Sequence, residues 1–205
     1  MNNKFTYVLL FLVILSMGPF ILVSLISDAS GFFTYIGFIN GNIGTSFSWF
    51  LAALVVLCYC ASASKISDVK HYMFKFDRLK FVAIIAAVCA GILEEVVFRK
   101  WVMDYLNSND YSRVTQVLLS GLSFGAVHLL WGAKSVAAGI NAIISTSILG
   151  SALAIVYLAG DRSLAPCIAA HFFITALTEP GLIIAAKNDK LGYWSERTNK
   201  SPKLD

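Results

Sequence analysis

Runs of about 18 to 25 apolar residues follow one another along this chain of 205 residues, and that is the length an α-helix needs to cross a bilayer's hydrocarbon. A water-soluble fold has nowhere to hide so many. Hydrophobic residues make up 58% of the chain and charged ones 14%, where a soluble domain carries about a quarter charged. The sequence therefore predicts an all-α, polytopic transmembrane helix bundle of about six spans. The spans fall near residues 5–27, 46–64, 80–106, 114–133, 135–159 and 163–186. With their short connections they form one membrane domain over residues 1–186, followed by a polar tail, 187–205, expected to be solvated and partly disordered.

Charge supports this layout and excludes nucleic acid as a partner. The net charge of +4 is small and scattered between the apolar runs, so the basic residues read as topology signals rather than as a groove for phosphates. With the N-terminus inside, the cytoplasmic segments hold Lys4, Lys65, Lys70, Lys75, Arg78, Lys80, Lys134, Lys187, Lys190, Arg197, Lys200 and Lys203. Only Arg99, Lys100, Arg113 and Arg162 remain outside, so both termini are expected in the cytoplasm of a multi-pass cell-membrane protein. The first run is too long for a secretion signal and lacks a cleavage site of small residues, so it reads as a retained helix. The stretch from Asp28 to Ser46 fits a loop, a surface helix or a re-entrant piece equally well. Cys58, Cys60, Cys89 and Cys167 sit inside apolar runs, without the spacing of a zinc site or a disulfide framework, and read as small packing residues.

The informative residues are the ionisable ones that the spans carry. In the third span, GILEEVVFRKW places Glu94, Glu95 and Arg99 in an apolar helix, where a charge near the bilayer centre costs on the order of 3 kcal/mol or more. Arg99 lies one helical turn past Glu95, so these two can pair on a shared face. Glu94, about 100° round the helix, is left less directly neutralised. Helix–helix glue would account for one charge pair, but not for the second carboxylate. Nor does it account for His128 in SGLSFGAVHLLW and His171 in LAPCIAAHFFITAL, both in apolar surroundings. His71 falls in the polar loop and reads as solvated.

Helix arithmetic lets these groups meet. Glu94 and His128 each lie 17 residues from Tyr111, so a hairpin turning there holds both at similar depth, roughly 25 Å from the turn. His171 joins them if the sixth span is tilted. Small and aromatic neighbours at helical spacing, Phe124 and Gly125 before His128 and Cys167 before His171, allow close helix approach around a polar cluster.

In this order and spacing the residues resemble the CPBP family of intramembrane proteases, also called the Abi or CAAX-protease-like family. Its EExxxR motif matches Glu94, Glu95 and Arg99, its FxxxH motif matches Phe124 and His128, and its final HxxxN/D motif begins at His171. The resemblance covers a catalytic core of about residues 80–180. It departs at Thr175, where the family has Asn or Asp that helps to bind the carbonyl oxyanion. The resemblance implies an intramembrane endopeptidase that hydrolyses a peptide bond of a peptide or membrane-associated protein. A carboxylate in a poorly hydrated site can act as general base toward water, and Glu94 is the candidate. His128 would orient that water or protonate the leaving amine, and His171 with Thr175 would donate hydrogen bonds to the oxyanion. Glu95 and Arg99 would hold the cluster together, with Phe124 forming the pocket wall.

No cofactor is expected, and no metal. Zinc is the alternative chemistry, since two His and a Glu form a common catalytic set, although the sequence lacks HExxH. Two other function classes stand beside the protease. One is a catalytically weak relative acting as a binding, immunity or maturation partner, which Thr175 would suit. The other is a transporter or channel, against which stand the small size and the absence of paired halves.

Overall fold

The computed structural model describes residues 3–39, 42–133, 136–188 and 190, and among them there is no strand. Most of the expected polar tail lies outside the described residues, as does Lys134. Helix α1 (Lys4–Tyr35) is followed by α2 (Ser46–Ala63), the short α3 (Ser67–Tyr72) and α4 (Arg78–Glu95). A π-helical segment (Val96–Met103) carries α4 on into α5 (Asp104–Ser108). Helix α6 (Arg113–Ala126) tightens into a 3-10 segment (Val127–Ala133) before α7 (Val136–Ala159), α8 (Ala165–Thr178) and α9 (Gly181–Lys187). Among the described residues, 5 stretches are long and apolar enough to span a membrane, and α8 with α9, bent by 55°, makes a sixth if the pair is one span.

Short polar side chains set where the helices begin. The side chains of Thr45, Asp77 and Ser112 accept backbone N–H groups of Ser48, Lys80 and Thr115, at the starts of α2, α4 and α6, satisfying donors that lipid could not. Asp28 acts in the same way inside α1. Its backbone leaves the helical region (φ −160°, ψ 92°), and its Oδ1 accepts the Gly31 N–H at 2.8 Å. The first run thus ends near where the sequence puts it, and a fresh helical turn carries the chain to Tyr35. Of the three readings left open for the stretch after Asp28, its first part is helix.

Two expectations need correction. The run 163–186 is two helices and not one rod, because Pro180 lacks an N–H and holds Glu179 in extended backbone (φ −86°, ψ 145°). Lys80, read as a loop charge, is only 3% exposed. Its ammonium donates to the Leu177 and Glu179 carbonyls at 3.1 and 2.7 Å, so it caps the end of α8 that the proline leaves open. At the opposite end of the bundle Arg162 clamps α5 to α6. It bonds Asp104 at 2.6 Å, Asn107 at 2.8 Å and Gln116 at 2.7 Å.

The packing that matters for the site is that of α4 on α8 and of α6 on α7. A Cβ on Gly91 would stand 3.3 Å from the Phe172 backbone nitrogen, so the bare glycine lets α4 and α8 approach one turn from Glu94 and Glu95. A Cβ on Gly150 would stand 3.0 Å from the Phe124 Cβ and Cδ1 atoms. All four cysteines are free thiols, and the buried Cys167 donates weakly to the Leu153 carbonyl at 3.4 Å.

Candidate active site

The last turn of α4 presents Glu94 and Glu95 toward α8, where His171 sits 4% exposed. The imidazole lies between the two carboxylates. Its Nδ1 is 2.7 Å from Glu95 Oε1 and its Nε2 is 3.6 Å from Glu94 Oε2. The short contact requires Nδ1 to donate to Glu95, which fixes the ring and turns Nε2 toward Glu94.

Glu95 and Arg99 are both fully buried. Arg99 Nε lies 3.0 Å from Glu95 Oε2, but neither atom is aligned for a hydrogen bond, so the attraction is one of charge. The guanidinium spends its directed donor elsewhere, with Nη2 on the Gly150 carbonyl at 3.1 Å. Its carbon stands 5.1 Å over the Phe124 ring. Arg99 thereby ties α4's continuation to α6 and α7 as well as to Glu95. The π-helical turn on which it rides is held by Ser120, whose hydroxyl donates to the Phe98 carbonyl at 3.0 Å.

Phe124 is the hub between the two histidines. Its ring centroid is 5.1 Å from that of His128 and 5.7 Å from that of His171. His128 stands half-buried where α6 tightens, with Nδ1 2.8 Å from the Phe124 carbonyl. A carbonyl can only accept, so Nδ1 donates and a neutral ring keeps its lone pair on Nε2.

The structure thus brings Glu94, Glu95, Arg99 and His171 into direct contact and Phe124 against them. His128 joins across the Phe124 ring and forms no ion pair with Glu94. The two arms of the hairpin are not uniform α-helix: a π-helical turn follows Glu95 and His128 lies in a 3-10 segment, each with its own rise and turn. Thr175 lies half-buried one turn beyond His171, and its hydroxyl makes no hydrogen bond among the described residues. Gly150 and Ser120 escape a reading of the sequence because a backbone carbonyl and a lone serine carry no pattern. Among the described residues no three His, Cys, Asp or Glu side chains are grouped to hold a metal ion.

A carboxylate pair, an imidazole and a guanidinium thus lie together within helices long and apolar enough to span a membrane, with Glu95, Arg99 and His171 buried. Residues 77–177 match the family described as Rce1-like, Type II CAAX prenyl endopeptidase Rce1-like, in agreement with the motifs that the sequence carries at Glu94, Glu95, Arg99, Phe124, His128 and His171. No curated protein and no solved structure matches the chain.

Proposed function

We propose that the chain is an intramembrane endopeptidase in which Glu94 activates water to hydrolyse a peptide bond of a peptide or membrane-associated protein. The observation that carries this reading is His171 held between two carboxylates, at 2.7 Å from Glu95 and 3.6 Å from Glu94. Both ring nitrogens of His171 face a carboxylate, so both are placed as donors. A His171 bonded at Nδ1 to Glu95 then offers Nε2–H to a developing oxyanion beside Glu94. Thr175, one turn on, adds a hydroxyl donor. His128, with its lone pair on Nε2, orients that water while Glu94 takes its proton, or relays the proton from Glu94 to the leaving amine.

In this mechanism Glu95 and Arg99 act through the groups they hold, and Phe124 spaces the two histidines. The chemistry runs without a metal, in keeping with the lack of an HExxH pair in the sequence. The catalytic core lies at about residues 80–180 of one membrane domain, residues 1–186, with both termini cytoplasmic, as the distribution of basic residues favours. The free Thr175 hydroxyl, where the family motif carries Asn or Asp, favours a second reading: a catalytically weak relative that binds a membrane partner without cutting it.

Proteoliposomes holding the purified chain and a library of membrane-derived peptides separate these readings. Cleavage is expected to survive a zinc chelator and to fall by about 100-fold or more in Glu94→Gln. Cleavage lost to the chelator and restored by zinc would establish the metal mechanism. No cleavage by the wild type, with binding intact, would establish the partner reading.

A further inference from the structure

A second feature lies far from the carboxylate cluster, where α1 and α4 begin side by side. Tyr7, Phe76, Asp77, Arg78, Phe81 and Val82 line a cleft there of about 490 Å³, within the size range of small-molecule sites. Its walls are largely apolar and it is open to its surroundings. Phe76 is 83% exposed and Phe81 61%. At its rim the exposed Arg78 opens α4, and its guanidinium has no ion pair or hydrogen bond among the described residues. The one carboxylate in the lining is already engaged. Asp77 accepts the Lys80 backbone N–H at 2.9 Å and pairs with the Lys75 ammonium at 3.3 Å.

Position and charge together select an occupant. The segment that leads into α4 carries Lys65, Lys70, Lys75 and Arg78 against Asp68 and Asp77, so the water boundary at this end of the bundle is positive. The N-terminal ends of α1 and α4 both meet there and add the positive ends of their dipoles. An open apolar cleft at the start of two membrane-length helices, with an unpaired guanidinium at its polar rim, fits a lipid with a negative headgroup. Arginine meets a phosphate diester with two parallel donors, and the aromatic walls take hydrocarbon.

We propose that this cleft binds one anionic glycerophospholipid, with Arg78 on the headgroup phosphate and Tyr7, Phe76, Phe81 and Val82 along an acyl chain. The site is independent of the hydrolytic centre. An acyl chain seated there would cover the α1–α4 seam.

The test uses the full chain in a neutral detergent, incubated with equal amounts of dioleoyl phosphatidylglycerol and dioleoyl phosphatidylcholine, with retained lipid read by native mass spectrometry. The wild type is expected to keep phosphatidylglycerol in preference. Arg78→Gln is expected to reduce that preference about fivefold, the share of one interfacial cation, and Phe81→Ser to lower retention of both lipids. Arg113→Gln, an exposed cation at the start of α6, is expected to change nothing. Arg78 is exposed, so its loss leaves folding intact. Equal retention of the two lipids by the wild type, an unchanged preference in Arg78→Gln, or an equal loss in Arg113→Gln would overturn the proposal.

Discussion

Arg99→Ala tests whether the buried charges hold the bundle as the geometry indicates. The guanidinium is fully buried, 3.0 Å from Glu95, 3.1 Å from the Gly150 carbonyl and 5.1 Å over Phe124. Removing it leaves Glu95 in a dry site with His171 as its remaining partner, and breaking a buried pair costs about 3 to 5 kcal/mol. The contacts share one group, so their separate values do not add. For a chain of this size each kcal/mol shifts the melting temperature by about 2 to 4 °C, which sets the expected loss at about 10 °C. Thermal unfolding in detergent, read by tryptophan fluorescence, measures it. Pairing the change with Glu95→Gln removes the stranded charge, so Glu95→Gln/Arg99→Ala should melt higher than Arg99→Ala alone. An Arg99→Ala melting point equal to that of the wild type, or a double variant no better than the single one, would refute the assignment of Arg99 as the counter-charge.

Other outcomes follow from the same geometry. Thr175→Asn replaces one hydroxyl donor with an amide carrying two N–H donors, and should raise kcat with little change in KM; a fall in kcat would show that this side chain does not serve the oxyanion. Gly150→Ala drives a methyl group against Phe124, at a cost of about 1 to 3 kcal/mol, and should lower stability and cleavage together; wild-type behaviour in both would remove Gly150 from the site's support. Asp77 lies outside the spans. Burial raises its carboxyl, but the Lys80 N–H and the Lys75 ammonium outweigh it and hold the carboxyl below the ordinary carboxylate range. Its contribution is therefore complete at neutral pH and is lost as pH falls below about 4 and through the lower folded value. In an acid-unfolding scan Asp77→Asn should lack that decline, and identical scans would contradict the assigned cap.

Much of this architecture is legible because lipid is an unforgiving solvent. It forces long apolar runs wherever a helix crosses, and it makes Glu94, Glu95, Arg99 and His171 conspicuous by their cost. The pairing of Glu95 with Arg99 follows from their one-turn spacing. The clamp of two carboxylates on His171 does not, since it depends on Gly91 letting α8 approach. The π-helical turn after Glu95 has no signature in VVFRKWVM, so a count of α-helical turns misjudges how His128 meets the cluster. Lys80 misleads for a related reason. Its charge matches a loop residue, and only the break at Pro180 supplies the free carbonyls that bury it. Asp28 is the converse case: the charge at the end of the apolar run does mark a boundary, and the same side chain caps the helical stretch that follows.

Comparison of membrane-derived peptides by mass spectrometry, between cells carrying the wild-type chain and cells carrying Glu94→Gln at matched expression, tests the central claim most directly. The proposed mechanism predicts fragments that end at a defined bond in the wild type, with the intact precursor accumulating in the variant while the variant itself stays inserted and folded. The same fragments in both cells would contradict Glu94 as the base.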